Sequence, residues 1–248
     1  MTNLLGAELL KLRTIRATWG YALAAVGFAG LMTAGNIGSR AELERFDPEF
    51  QFKLVLDGLF PAVILALLLG MLLVTNEFRH GTIARTLLVT PRRRILVAVK
   101  LLAGTAAGLG LALLTFATTT AVAVIWLSIL DVPLELGEAG GGLWRGFLAA
   151  ALVGTFGAAV GGVVHSQVGA LVGTLVWIFV AEPIVWVLLG LVDLDGVSEY
   201  LPAATVLGIA DSEGEGLSYA ATTANLLGWL AVAAVLAALR TERRDITS

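Results

Sequence analysis

An acidic residue followed by a proline interrupts one of the long apolar stretches of this sequence: Glu182 and Pro183 lie in the segment FVAEPIVWV. An ionised carboxylate in the middle of a membrane helix costs about 2.5–3.5 kcal/mol on insertion scales. Proline removes a backbone N–H donor and favours a kink. We therefore predict that Glu182 faces protein or water rather than lipid. It would either line or gate a substrate pathway, or lock helices together as a protonated or hydrogen-bonded glutamate.

Threonines supply the other polar groups of the apolar stretches, and several lie close together between residues 115 and 120. Threonine hydroxyls usually bond back to their own helix, which is the alternative to a polar lining. Thr115 and Thr119 are nevertheless predicted, together with Glu182 and Pro183, as candidates for a substrate pathway.

The composition argues against most hydrolytic chemistry. The chain has no cysteine, and His80 and His165 are its only histidines, too few for the usual zinc or di-iron clusters. The signatures H-E-x-x-H and G-x-S-x-G are missing, and so is the phosphate-binding loop G-x-x-x-x-G-K-[ST]. We expect no metal site, no cofactor held by this chain and no enzymatic activity of its own.

The elements that must position these residues are membrane helices. Of the 248 residues, 58% are hydrophobic and only 14% are charged, against roughly 25% charged in a soluble domain. About 20 apolar residues cross the hydrocarbon core. The gaps between charges predict an all-α polytopic protein that forms a single transmembrane domain over residues 1–248. Its six spans are predicted at 19–37, 58–75, 101–130, 146–164, 168–192 and 217–239.

Charge asymmetry predicts the orientation of these spans. With both termini in the cytoplasm, 12 of the 16 Lys and Arg residues lie on the cytoplasmic side, as the positive-inside rule requires. The acidic residues cluster in outer loops, above all in the segment 193–216. The sequence leaves open whether that segment contains a short interfacial or re-entrant helix or is a covered loop.

Two non-spanning segments are predicted on the cytoplasmic side. Residues 1–18 are expected to form an amphipathic helix on the inner leaflet, with its cations near anionic headgroups; an ordinary basic flank is the alternative. Residues 76–100 form a loop in which Thr82 can cap a short helix that ends before Pro91. The apolar face of that helix must pack against headgroups or a soluble partner. The predicted headgroup contacts of the first segment are Lys11, Arg13 and Arg16.

Pairs of glycines at four-residue spacing let helices approach closely. We predict helix packing, and no specific dimer code, at three such pairs. They are Gly104/Gly108, Gly157/Gly161 and Gly169/Gly173.

The 76–100 loop resembles the first cytoplasmic loop of the permease subunits of type-2 ABC exporters, which serve bacterial drug, antibiotic, lantibiotic and polysaccharide export. The likeness rests on Glu77, the pair Gly81-Thr82, Leu87, the pair Thr90-Pro91 with a following arginine, and Lys100. The N-terminal stretch AELLKLRTIRATW and the order of spans and loops are similar too.

The resemblance implies a transporter of a bacterial cytoplasmic membrane in which separate subunits form the substrate pathway and hydrolyse ATP. Two permease subunits, expected to be a homodimer although a heterodimer stays open, would form the pathway among membrane lipids. A separate ATPase subunit would bind ATP and Mg²⁺ and drive the short helix of the loop. No nucleic-acid partner is expected. The coupling residues would be Glu77, Gly81, Thr82, Ile83, Leu87 and Pro91. Arg92, Arg93 and Arg94 would lie at the headgroup boundary, or would act only as topology signals.

A secondary transporter that uses Glu182 for ion coupling is the alternative function. No inverted repeat is visible in the sequence, and Glu182 is its one candidate for ion coupling within the spans. The transported substrate is not encoded in any motif.

Overall fold

The computed structural model describes residues 2–41, 46–82, 93–135, 143–209 and 217–243. These ranges are helices joined by turns and short connections, and they contain no strand. Lipid offers no partners to backbone N–H and C=O groups, so charge-free apolar runs satisfy these groups within helices. The helices are α1 Thr2–Thr14, α2 Arg16–Ser39, α3 Pro48–Asp57, α4 Phe60–Arg79, α5 Arg93–Ile129, α6 Trp144–Val164, α7 Gln167–Val176, α8 Glu182–Gly190, α9 Asp195–Ser198, α10 Pro202–Gly208 and α11 Tyr219–Arg243. A π-helical turn, Trp177–Ala181, joins α7 to α8.

Six helical segments within the described ranges are long and apolar enough to cross a membrane. Their number and order confirm the predicted all-helical, membrane-embedded protein with six spanning helices. The segments are Arg16–Ser39, Pro48–Arg79, Arg93–Ile129, Trp144–Val164, Gln167–Gly190 and Tyr219–Thr241.

Two helices differ from the sequence prediction. α5 has 37 residues and is therefore about 55 Å long at 1.5 Å per residue, well beyond a hydrocarbon core of about 30 Å. It includes residues 93–100, which were predicted to belong to the loop.

α3 was not predicted at all. It begins with Pro48 after Asp47, whose side chain accepts a hydrogen bond from the Glu49 N–H at 3.0 Å.

Helices α4, α5 and α6 form the centre of the bundle, and glycines bring their backbones together. A Cβ atom added at Gly157 of α6 would overlap the carbonyl oxygen of Leu67 in α4. One added at Gly108 of α5 would overlap the carbonyl oxygen of Ala150 in α6. Packing at two of the predicted glycine pairs is thereby confirmed. These pairs are Gly104/Gly108 and Gly157/Gly161.

The fifth span, formed by α7, the π-helical turn and α8, lies at the edge of the bundle. Only 6% of its most apolar 18-residue window is buried, against 78% for the second span. A Cβ on Gly173 would meet no atom within 4 Å, and the nearest atoms to one on Gly169 belong to Ser166 and Val164. The prediction that this pair packs against another helix is therefore wrong within this chain, because the span faces outward here.

The bundle has two ends, named here after a helix found at each. The α1 end holds α1, the last turn of α4 and the last turns of α11. The α3 end holds α3, the last turns of α2 and α5, and the residues after α5. There the buried side chain of Gln51 donates to the Pro133 carbonyl at 3.0 Å and accepts from the Glu135 N–H at 2.5 Å. This pair of bonds ties α3 to the segment that follows α5.

Candidate functional sites

Four charged side chains from three helices meet at the α1 end. Glu8 and Lys11 lie three residues apart on α1, Glu77 lies in the last turn of α4, and Lys100 lies in the second turn of α5. Spacing of three residues places Glu8 and Lys11 on one face of α1. Helices α4 and α5 bring their own two charges to that face. The residues Glu8, Lys11, Glu77 and Lys100 are called the charge ring below.

The ring is closed and its charges alternate. Lys11 Nζ lies 2.7 Å from Glu8 Oε1 and 2.5 Å from Glu77 Oε1. Lys100 Nζ lies 2.8 Å from Glu77 Oε1 and 3.4 Å from Glu8 Oε2. Each ion thus has two partners of opposite sign, and the four charges cancel.

Burial makes these pairs interdependent. Glu8, Glu77 and Lys100 are 3%, 6% and 4% exposed, whereas the Lys11 side chain is 38% exposed. Burial by itself would lower the pKa of Lys11, but hydrogen bonds and attraction from Glu77 and Glu8 outweigh it and raise that pKa. Removal of one partner from a buried pair leaves an uncompensated charge, which strongly destabilises the folded state.

Glu77 also anchors the start of the segment between α4 and α5 through its backbone. Its carbonyl accepts a hydrogen bond from the Thr82 N–H at 3.0 Å, and the Phe78 carbonyl accepts one from the Gly81 N–H at 3.4 Å. This pattern ends a helix with a residue in the left-handed region, and Gly81 has φ +65°. One residue, Glu77, therefore joins the helix end to the charge ring.

Only part of the predicted coupling segment lies within the described residues. Glu77, Gly81 and Thr82 occupy the end of α4 just discussed. The remaining predicted coupling residues, Ile83, Leu87 and Pro91, fall outside the described residues, as does Arg92. The predicted short helix between spans two and three therefore stays a prediction.

The predicted headgroup residues have different surroundings. Arg13 and Arg16 are exposed at the end of α1 and the start of α2. Lys11 is instead engaged in the charge ring. Arg93 donates to the Thr241 carbonyl at 2.7 Å, which joins the start of α5 to α11, and Arg94 is exposed. Contact of these residues with lipid stays a prediction.

Sequence reasoning missed Glu8, whose side chain closes the ring. The available signal was an acid three residues before a lysine in a helix that was otherwise apolar and basic. Glu8 faces the bundle, whereas Leu9 and Leu10 are 39% and 61% exposed. The helix thus turns Glu8 toward protein, whereas Leu9 and Leu10 face outward and Leu12 packs against the edge of the core.

The second site surrounds Glu182, toward the α3 end of the fifth span. The backbone N–H of Glu182 donates to the Trp177 carbonyl five residues earlier, which defines the π-helical turn. Pro183 follows without an N–H of its own. This turn brings the Trp177 indole to the carboxylate, and its Nε1 donates to Glu182 Oε2. π-Helical turns occur frequently at functional sites.

Glu182 also holds α10, which lies some 20 residues further along the chain. Its carboxylate accepts the Ala203 N–H at 2.9 Å and the Ala204 N–H at 2.6 Å. Glu182 is 6% exposed, and no cation lies within ion-pair distance of it among the described residues. The carboxyl group therefore has N–H groups rather than a cation as its partners, and two of them belong to the start of α10. Glu182 with these three N–H donors is called the Glu182 clasp below.

Further hydrogen bonds fix the same segment to α11. Asn225 donates to the Tyr200 carbonyl at 3.0 Å and to the Thr205 hydroxyl at 2.6 Å, and the Trp229 indole donates to the Tyr200 carbonyl at 2.9 Å. The described part of the acidic segment thus contains short helices that fold back against the bundle. These contacts match the helix-joining role for Glu182. A pathway role stays a prediction.

The predicted pathway threonines lie inside packed helices. Thr115 is fully buried and its hydroxyl donates to the carbonyls of Leu111 and Ala112. Thr119 is also fully buried, and its side chain occupies the space that a Cβ on Gly58 would need. The structure therefore does not bring these two residues together with Glu182 and Pro183 at one open surface.

Among the described residues, no group of three His, Asp or Glu side chains is arranged to hold a metal ion. The fold is that of a membrane-embedded protein with six spanning segments. It has paired charges at one end and a carboxylate bound by N–H donors toward the other. No family model matches the chain, and none of the curated proteins matches it.

Proposed function

We propose that the chain is the membrane-spanning permease subunit of an ATP-driven ABC exporter in a bacterial cytoplasmic membrane. Two copies would form the substrate pathway, and a separate ATPase subunit would bind and hydrolyse ATP with Mg²⁺. Both termini would lie in the cytoplasm, so that the α1 end faces the ATPase.

The observation that carries this proposal is the double anchoring of Glu77. The segment after Gly81 begins from a helix end that is capped by the Glu77 carbonyl and held by its carboxylate. A force applied to that segment would reach α4, α5 and α1 together. This is the mechanical property that a coupling segment needs, and a short helix over residues 83–91 would be the surface that the ATPase contacts.

The surroundings of α1 suit the inner leaflet. Its exposed Leu9 and Leu10 can contact acyl chains, while Arg13 and Arg16 reach headgroups. The exposed fifth span supports the second copy, because a span with so little intrachain packing can accept another helix as well as lipid. We propose a homodimer as the simplest assembly in which the fifth span is covered.

The test is purification of a tagged chain from its native membrane, followed by measurement of ATP hydrolysis in the eluate. We expect a nucleotide-binding ATPase to co-purify with the native chain. Leu87→Glu, in the proposed contact surface, should abolish this. Phe46→Glu, which adds the same charge at an exposed residue of the opposite end, should not. Transport driven by a proton gradient without ATP would overturn the proposal and favour a secondary transporter that depends on Glu182.

A further inference from the structure

We propose that Glu8 and Lys11 are positioning residues of the coupling segment, and that the charge ring makes α1 a moving part of the transport cycle. In this arrangement α1 is carried along by α4 and α5. The role in transport rests on the proposed function, whereas the attachment of α1 by the ring does not.

The attachment of α1 is mainly electrostatic. Among residues 4–14, Glu8 is the only buried residue. Leu12 packs against the edge of the core as a partly buried side chain, and Leu9 and Leu10 face outward. Because the one buried residue of this stretch is a carboxylate, the attachment of the stretch depends on the cations that meet Glu8. Here those cations are Lys11, of α1 itself, and Lys100 of α5.

The ring also fixes where α1 lies relative to the coupling segment. Lys11 contacts the same Glu77 oxygen as Lys100, and the Glu77 carbonyl caps the helix end at Thr82. α1 and the start of the coupling segment are thus separated by a single residue. A bilayer alone would hold the leucine face of α1 in the membrane plane, but it would not fix α1 against α4.

A closed ring of alternating charges has a specific consequence for charge exchange. Exchange within α1 alone, by Glu8→Lys with Lys11→Glu, would bring two pairs of like charges together. A lysine at position 8 would face Lys100, and a glutamate at position 11 would face Glu77. Exchange of all four residues, by adding Glu77→Lys and Lys100→Glu, would restore every attraction. A simple pair between two residues would be rescued by the double exchange, whereas a ring requires the quadruple one.

The first measurement is a distance distribution between spin labels in lipid vesicles. The chain contains no cysteine, so Leu10→Cys on α1 and Leu102→Cys on α5, both exposed, can be labelled alone. We expect one narrow distance with the native ring. Glu8→Gln and Lys11→Met should each lower the docked population about tenfold relative to the undocked one, a size that is typical of coupling between residues of one ion-pair network.

Matched controls separate the ring from charge in general. Arg13→Met removes a cation from the exposed side of the same helix and should leave the distance unchanged. Lys11→Arg keeps the charge and should retain docking. The quadruple exchange should restore docking that the double exchange loses. A narrow native-like distance in Glu8→Gln and Lys11→Met, or rescue by the double exchange, would overturn the ring as the attachment of α1.

The second measurement uses the complex with the co-purified ATPase, with and without ATP and vanadate. The α1-to-α5 distance should stay constant, while the distance from Leu10→Cys to Val168→Cys on the exposed fifth span should change. In Lys11→Met the α1-to-α5 distance should become sensitive to nucleotide.

An α1-to-α5 distance that changes with ATP in the native ring would overturn the coupled movement of α1, while ATPase binding and the proposed function would stand. Failure to recover any ATPase would remove the proposed function together with the coupling role, but would leave the docking result intact.

Discussion

The charge ring and the Glu182 clasp both attach a non-spanning helix to the bundle, but they use different partners for their buried carboxyl groups. Each uses buried carboxyl groups, two in the ring and one in the clasp, to hold a non-spanning segment against the bundle: the ring holds α1, and the clasp holds α10. The ring balances two carboxylates with two ammonium groups, whereas the clasp balances one carboxylate with N–H dipoles. Loss of one side chain therefore leaves net charge buried in the ring, while loss of the acid in the clasp leaves only neutral donors.

The largest effect is expected from the most buried cation of the ring. Lys100→Met leaves Glu8 and Glu77 with Lys11 as their one shared cation, so we expect a loss of about 3 kcal/mol in the free energy of unfolding. The measurement is denaturant unfolding in detergent micelles. Glu49→Gln is the control, because it removes an exposed carboxylate 3.7 Å from Lys53 and should change stability by less than about 0.5 kcal/mol. Equal effects of the two substitutions would remove the distinction between ring and surface pairs.

The clasp should respond to a smaller extent. Glu182→Gln replaces an acceptor oxygen by an NH₂ group that faces N–H donors, and we expect a loss of about 1–3 kcal/mol. The backbone amides of Ala203 and Ala204 should then exchange hydrogen faster, while expression is retained and transport falls. Trp177→Phe removes one of three donors and should have a smaller effect. Unchanged export by a well-expressed Glu182→Gln protein would contradict a pathway or gating role.

The helix end at Gly81 connects to the ring through the backbone of Glu77. Gly81→Ala places a Cβ at φ +65°, which costs about 1–2 kcal/mol for ordinary residues. Gly81→Asn should cost less, since asparagine tolerates this region. Thermal unfolding of the two variants measures the difference. If both behave like the native chain, the cap does not constrain the start of the coupling segment.

The pH dependence of α1 docking should be the smallest effect. The pKa of Lys11 is raised above 10.5 in the folded chain, so its contribution is fully present below about pH 10.5 and is lost as the pH rises through the higher folded value. An alkaline titration of the α1-to-α5 spin-label distance would show this. Lys11→Arg should remove the contribution of Lys11 to the transition, because arginine stays protonated throughout. A transition at neutral pH would point to a group other than Lys11.

The spans were predictable from the sequence because apolar runs without charges have no other stable form in lipid. Helix α3 was missed although Asp47 and Pro48 form a recognisable helix start. Its residues were assigned to an outer loop, since a search for charge-free runs stops at Lys53 and Asp57.

The two sites were less accessible to sequence reasoning. Glu77 and Lys100 were noted only through a family resemblance, and the ring needs α1 to turn Glu8 toward them. Glu182 was singled out from its chemistry, but its partners Ala203 and Ala204 are backbone donors without any residue signature. Long-range partners of this kind depend on how the helices pack, and no local pattern encodes that.

The π-helical turn before Glu182 gives the fifth span one residue more than a regular helix would need. Successive side chains of an α-helix are rotated by about 100° about the helix axis. The extra residue therefore changes the face of the helix on which every later side chain lies. Deleting Phe179 would return the span to regular winding, swing Glu182 away from the Ala203 and Ala204 amides, and turn Trp186 toward a different neighbour. The one extra residue of the π-helical turn therefore determines which side chains of α8 face lipid or a second copy.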